Sequence, residues 1–580
     1  VLVLAAIAGI IWYERRSAVA SRIALQGTTV AVLPFTDPGQ ADSTRYVADM
    51  LSEDLRAELK RIRSLIVPSY QSSAGYAGAT KPISRIASEM AANFVVTGTI
   101  HRGQGDARLE VHVFDGRTGK SAWTDTFAMG NSDLTHIARK SANAILSQLD
   151  IDLTREEKDR LGLPPTTNPL AYDFYLRGRY AELSARPRTA VGEARADSMR
   201  RAQARYFQAR SLDADFATAR ARLAVTHMWS ATAYDTTRAR LDQARLEAEN
   251  ALRLDSLVSG PHEALAAYWS RQGNAPKAIE ELETGLRHAP NDVDLLVPLG
   301  VLLIHAGRWE EGIARIERAI QIDPRNPSAL WQAAMSSGRT RRFAEAQKAF
   351  NRLIEVSPDD HEVKLIKGQA YLRWKGSADT LSALLAKIPP GWDSRGMATF
   401  SRYTALRVQR RYREGLSMLE NAPSDLSRDG LVYHPRALMQ AEMYHGLGDW
   451  RKARAHYEIA RAMMADSAAA HPNDPSIHAA LGLALAGLGL KRDAISEAER
   501  AMEIEPVSKN SRAATAHMGI AVEIFARVGE LDRAFETLEL LLSMPSGREA
   551  SIPFLRVWAG FDPLRSDPRF DQLLDRFSGK

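Results

Sequence analysis

The sequence predicts a mainly α-helical protein: an α-solenoid of stacked helix pairs, preceded by a small α/β domain and by the end of an apolar amino-terminal helix. Three observations carry this. Pro290, Pro324 and Pro358 recur at intervals of 34 residues, each closing an amphipathic stretch. Residues 28–127 alternate short β-branched runs with stretches of helical periodicity. Val1–Tyr13 (VLVLAAIAGIIWY) is an unbroken apolar run followed by Glu14-Arg15-Arg16.

Thirteen helical residues span ~20 Å, short of a hydrocarbon core of about 30 Å, and the sequence starts with Val rather than Met. Residues 1–16 therefore read as the end of a transmembrane helix that begins upstream, with Trp12-Tyr13 at the interface. A signal-peptide remnant and a buried core helix are the alternatives; no convincing small-residue cleavage site follows. Arg15, Arg16 and Arg22 alone place this flank in the cytoplasm, but the opposite flank is not there to compare.

Residues 28–150 read as one α/β domain. Thr28–Phe35 (TTVAVLPF) is a buried strand, Tyr46–Lys60 an amphipathic helix, Leu65–Pro68 a short strand, Ile83–Ala92 a second helix and Phe94–Ile100 a third strand. Leu109–Phe114 and Ser121–Phe127 form a hairpin across Asp115–Gly119, and Asp133–Leu149 is a closing helix. Residues 151–168 read as a linker ending in Pro164-Pro165-Thr166-Thr167-Asn168.

Residues 169–543 read as about ten helix pairs. Gly273 and Gly307 share the 34-residue interval with Ala278, Gly312 and Ala346. Gly448, Gly489 and Gly529 keep a small residue five positions on while the interval stretches, so insertions such as Met464–Asp474 lengthen some elements. Each glycine ends a first helix, A, in a tight turn; the small residue lets the second helix, B, approach; the proline stops B. Residues 544–580 cap the array. Stacking leaves a concave face lined by A helices, which presents Glu263 and Ser270, Asp294 and Val297, and Ser328, Trp331 and Met335. Trp331 and Met335 are either anchors for a bound polypeptide or packing against the neighbouring A helix.

Chemistry is sparse. With no cysteine, disulfides, thiolate metal sites and cysteine nucleophiles are excluded. A net charge of +6 spread over 76 basic and 70 acidic residues is no nucleic-acid footprint. Arg339-Thr340-Arg341-Arg342 and Arg410-Arg411-Tyr412-Arg413 sit at helix–turn junctions, as solvated turns do. Gly103-Gln104-Gly105-Asp106 joins two strands and is no phosphate cradle. His434, His445 and His456 recur every eleven residues, but Gly446–Asp449 breaks the helix between the last two, which argues against a shared metal. Asp292, Asp294, Asp359 and Asp360 begin helices as caps. No cofactor and no catalytic constellation is expected.

The repeat resembles the tetratricopeptide repeat: Leu299, Gly300, Gly307, Gly312, Ala319 and Pro324 fall on its positions, as do Leu481, Gly482, Gly489, Ala494, Ala501 and Pro506, and Leu265, Ala266, Trp269, Gly273 and Ala278. Ala333-Ala334 departs from the Leu-Gly pair, and 360–423 matches loosest. Residues 28–150 resemble the amino-terminal domain of TolB, through Val30–Phe35, Leu51–Leu55, Val95–Ile100 and Val113–Trp123; Asn168–Tyr172 and Asp562–Phe570 look like the same architecture, a membrane helix followed by this domain and repeats in bacteria. The resemblance implies a protein or peptide partner in the groove, a single-pass inner-membrane anchor with most of the chain in the periplasm, and an upstream kinase, cyclase or DNA-binding module. The expected function is thus an extracytoplasmic sensor scaffold. The alternative is a fixed structural subunit of a membrane or envelope assembly.

Overall fold

The computed structural model describes residues 27–38, 45–78, 80–102, 107–129, 134–161, 163–185, 192–233, 237–422, 426–428, 433–545 and 550–578. Residues 1–16, read above as the end of a transmembrane helix, lie outside these, as does the turn at 103–106. Among the described residues no helix is long and apolar enough to cross a membrane. The chain forms two compact units. The first takes in the residues up to Leu302 together with Ala314–Leu330, the second Leu303–Ile313 and Trp331 onwards.

The first unit opens with a five-stranded sheet. Its strands are β1 (Thr28–Val32), β2 (Leu65–Ile66), β3 (Phe94–Arg102), β4 (Ala107–Asp115) and β5 (Ser121–Met129), in the order β2-β1-β3-β4-β5. β1 lies parallel to β2 and β3; β3, β4 and β5 are antiparallel. Alternation along β1 sends Val30 and Val32 to one face and Ala31 to the other, and both faces are covered. On the first, α1 (Arg45–Lys60) and α3 (Leu134–Gln148) bury Leu51, Leu55, Ile137 and Ile145 against Val96, Val111 and Val113. On the second, α2 (Ile83–Met90) seats Ile86, Ala87 and Met90 on Val95. β1 stops at Val32, short of the expected Phe35, since Pro34 cannot donate to a ladder.

The stretch expected as a linker contains α4 (Arg155–Leu161). Thr154 and Glu157 form a capping box: Glu157 N donates to Thr154 Oγ1 (3.2 Å) and Thr154 N to Glu157 Oε2 (2.8 Å). Glu157 also accepts from Arg63 N, tying the segment to the turn between α1 and β2.

Ten helix pairs follow among the described residues, A helix first. They are α5 (Pro169–Ala185) with α6 (Gly192–Leu212), α7 (Ala217–Ala233) with α8 (Arg238–Leu254), α9 (Gly260–Arg271) with α10 (Ala275–His288), α11 (Val293–His305) with α12 (Trp309–Ile322) and α13 (Pro327–Arg339) with α14 (Phe343–Val356). Next come α15 (His361–Lys375) with α16 (Asp379–Leu385), α17 (Met397–Val408) with α18 (Tyr412–Glu420), α19 (Arg436–Gly446) with α20 (Trp450–Ala470), α21 (Pro475–Gly487) with α22 (Lys491–Ile504) and α23 (Ser511–Arg527) with α24 (Leu531–Ser543). Most of the Met464–Asp474 insertion is absorbed by α20, which runs for 21 residues. The loosest stretch of the repeat pattern has the shortest B helices, α16 and α18, and is followed by a two-stranded ladder of β6 (Leu426–Arg428) with β7 (Tyr433–Pro435).

The A–B turns depend on backbone handedness. Gly273, Gly307, Gly376, Gly448, Gly489 and Gly529 all have φ of 70–80°. Where the glycine is missing, Arg341 (φ 59°) and Arg410 (φ 58°) adopt the same conformation.

The carboxyl-terminal segment folds within the second unit. Its helices α25 (Ile552–Val557) and α26 (Pro568–Phe577), with the residues between them, bury Phe554, Leu555, Trp558, Leu564 and Leu574 in one core with Leu372, Tyr403 and Phe525 of α15, α17 and α23.

Candidate partner-binding face

The residues expected to line a concave surface lie on A helices of both units, and their own chain already meets several of them. In the first unit the α/β domain sits on the amino-terminal parts of α11 and α13. Lys60 Nζ of α1 pairs with Asp292 (2.6 Å) and Asp294 (3.3 Å) at the start of α11. Burial opposes the ammonium charge, yet the two carboxylates raise its pKa well above the usual lysine value. Asp323, before α13, accepts from Ser69 N (2.9 Å) and Ser72 Oγ (2.5 Å). Asn291 Nδ2 donates to Leu65 O (3.2 Å), and Ile66 of β2 is buried among Val293, Leu296, Val297 and Ile322.

A second line of charge runs from α1 into the first two A helices. Arg56 donates to Val32 O (2.6 Å) and Ser73 Oγ (3.0 Å), and pairs with Glu53. Glu53 pairs with Arg179 of α5 (2.5 Å), Arg179 with Glu182 (3.2 Å), and Glu182 with Arg222 of α7. Tyr206 closes the chain on Glu182 at 2.7 Å. Burial, with repulsion from Arg179, pulls the Arg222 guanidinium down to about 10. Beside this row Asp54 is buried and accepts from the Tyr172 hydroxyl; burial pushes its carboxyl up to about 7 despite that bond. These groups frame a cavity of about 180 Å³ lined by Arg56, Lys60, Arg179, Arg222, Glu263 and Asp294 among others. Paired buried charges of this kind fix orientation more than they add stability.

The seven residues singled out from sequence therefore divide. Asp294 and Val297 face the α/β domain, so that part of the expected groove holds the chain's own residues. Glu263 borders the cavity. Ser270 and Ser328 are exposed. Trp331 is half-buried, while Met335 lines a crevice of about 20 Å³ with Ile366, Gln369 and Phe350, which is packing between successive A helices. No local pattern signalled Lys60, Asp323 or Arg179, because their partners lie 234, 254 and 126 positions away.

In the second unit the carboxyl-terminal segment takes the corresponding place. Ser551 Oγ donates to Arg373 O (2.7 Å), Trp558 Nε1 donates to Glu523 Oε1 (2.7 Å), and the Arg407 guanidinium lies 4.2 Å from the Trp558 ring centroid. Beneath them Glu442 is held between Arg407 (2.9 Å) and Arg527 (3.0 Å). Burial opposes its charge, but the two guanidiniums win and lower its carboxyl to about 2.

The eleven-residue histidine series serves packing. His434 stacks on Phe400 (4.2 Å), His445 meets the edge of Trp450 (4.6 Å) and His456 stacks on Tyr444 (5.2 Å). Among the described residues no group of three or more His, Asp or Glu is placed to hold a metal ion. Asp292 and Asp360 do cap, accepting from Asp294 N (2.9 Å) and Val363 N (3.1 Å).

Two tetratricopeptide-repeat family models match, over residues 271–337 and 332–379. A curated relative, putative adenylate cyclase 3 of Rhizobium meliloti (strain 1021), is 29% identical over 155 residues, 27% of this chain and 26% of that protein. The chain thus spans about a quarter of the length of the curated relative it matches. Among solved structures, TTC0263, a thermophilic TPR protein of Thermus thermophilus, is 15% identical over 35% of this chain and 99% of that one, with a TM-score of 0.29. A tetratricopeptide repeat protein from Parabacteroides merdae ATCC 43184 is 13% identical over 55% of this chain and 100% of that one, with a TM-score of 0.30. Residues 271–379 thus match the tetratricopeptide repeat, a fold whose stacked pairs generally bind protein or peptide partners.

Proposed function

We propose that this chain is a non-catalytic protein-interaction scaffold, the sensor part of a single-pass bacterial inner-membrane signalling receptor with its bulk in the periplasm. One observation carries the reading: the α/β domain, which follows the apolar stretch 1–16 in sequence, and the first helix pairs share one packed unit, joined by Lys60–Asp292 and Asp323–Ser69. A polypeptide gripped by the repeats then bears on α1 and β2 directly, because these charges must follow the A helices they pair with. The 155-residue likeness to a protein named as a putative adenylate cyclase supports a scaffold of this kind coupled to a signalling enzyme.

The test combines location with binding. Cells expressing the chain together with its native upstream sequence are fractionated, membranes are extracted at alkaline pH, and spheroplasts are treated with protease. The expected result is a chain that stays with the membrane and is digested from outside. The membrane-held chain is then used as bait for envelope proteins, and retention of a discrete polypeptide is expected. Release into the alkaline supernatant, or no specific polypeptide retained, overturns the reading.

A further inference from the structure

The two edges of the sheet are treated differently. β2 is covered: Asn291 donates to its Leu65 carbonyl, and Ile66 is buried under α11. β5, the last strand in the order, pairs with β4 on one side and with no strand on the other among the described residues. It is nine residues long, without proline, and in unbroken register with β4 from Met129 to Trp123. A long regular edge with exposed N–H and C=O groups is a template for another strand.

The sequence of that edge says which strand. Ala122-Trp123-Thr124-Asp125-Thr126-Phe127-Ala128 reads the same in both directions apart from the exchange of Trp for Phe. We propose that a second copy of this chain pairs on β5, antiparallel, about a two-fold axis through Asp125. That register sets Thr124 against Thr126 of the other copy, Trp123 against Phe127, and Ala122 against Ala128. Threonine and aromatic pairs of this kind favour antiparallel association, and a two-fold interface needs such a self-complementary patch. Trp123 and Phe127 stand opposite Val113 and Leu109 on the face covered by α3, and both are half-buried with area left to cover. The pairing of Asp125 with its own copy opposes association through like charge, and its Oδ1 takes the Thr126 N–H (2.8 Å). Asp125 therefore moderates the contact and keeps it reversible.

The absence of cysteine makes the register directly readable. In the full chain, Asp125→Cys places two thiols across the axis at a Cα spacing a disulfide accepts. Ala128→Cys faces Ala122 of the other copy and has no thiol in reach. Under mild oxidation Asp125→Cys is expected to give at least ~10-fold more disulfide-linked dimer than Ala128→Cys. Equal cross-linking of the two variants, or none, overturns the proposal. Should Asp125→Cys lower the melting midpoint, sedimentation velocity of the unmodified chain decides. A dimer that Thr126→Pro converts to monomer supports the pairing, and a monomer at every concentration, or a dimer indifferent to that proline, excludes it.

Discussion

Asp54 is the residue at which burial and charge conflict most openly. Its carboxyl titrates near 7 in the fold instead of near 3.8, so the fold disfavours the charged form. The sign follows from linkage. Below about pH 4 the group is protonated folded or unfolded and carries no penalty; above about pH 7 it is charged in both states and the penalty is complete, up to ~4 kcal/mol. The first unit should therefore lose stability as pH rises from about 4 to about 7. Asp54→Asn keeps an acceptor for Tyr172 and removes the titration. Hydrogen exchange of α1 and α5 at about pH 5 and about pH 8, corrected for intrinsic rate, should show a pH-dependent gap in the native chain that shrinks in the variant. Equal gaps would mean that Asp54 is not the group responsible. Nothing in the sequence around Asp54 announced this, because the burying residues, Tyr172 and Tyr175, come from another helix. The turn glycines were legible, since only backbone handedness is at stake. Gly307 has φ of 80° and no atom within 4 Å of an added Cβ, so Gly307→Ala isolates the conformational cost. It should lower stability by about 1 kcal/mol in thermal unfolding. Arg341 bears the same cost and offsets it by donating to Leu541 O (3.0 Å) and Met544 O (3.2 Å), a compensation no local pattern reveals.

At the scale of elements, periodicity did most of the work. Apolar spacing located α1 and α2, alternation located β3, β4 and β5, and the glycine–alanine–proline spacing located the A and B helices on either side of each turn. α4 was missed although Thr154 and Glu157 form a capping box, because the prolines that follow it drew the whole stretch into a linker. What periodicity lacks is the partner of each face. β2 is two residues long and would be marginal alone, yet Ile66 is wholly buried because α11 covers it. Lys60 fixes that contact. Replacing it with Met leaves Asp292, 3% exposed, without its cation. The loss should be roughly 2–3 kcal/mol, below the ~3–5 of a fully buried pair, because the Lys60 side chain keeps some solvent access. Hydrogen exchange should quicken in α1 and the first turn of α11 while β4 and β5 stay protected. A uniform rise would mean that Lys60 merely supports the unit as a whole.

At the scale of the molecule, each unit sets a segment of its own chain against its A helices: the α/β domain in the first, α25 and α26 in the second. The expected groove was inferred from the array alone, and the segments that meet it come from distant sequence with no pattern to announce the pairing. In the second unit the fit is concentrated at Trp558. Its indole N–H donates to Glu523, its ring meets the Arg407 guanidinium and stacks on Phe554, and burial raises the Glu523 carboxyl. Trp558→Phe keeps most of the ring and removes the donor, leaving a buried carboxylate short of a partner; the expected cost is ~1–3 kcal/mol. Trp558→Ala opens a cavity as well and should cost ~3–5 kcal/mol. The two effects can be told apart by pH. Without the indole donor Glu523 should hold its proton to higher pH, so the deficit of the Phe variant should shrink on acidification. The cavity in the Ala variant remains at any pH. Denaturant unfolding of both full-length variants, with exchange followed in α23, should show both deficits shrinking on acidification while the Ala variant keeps the cavity's share. Deficits indifferent to pH would mean that the ring's bulk, and not its hydrogen bond, holds the carboxyl-terminal segment against the repeats.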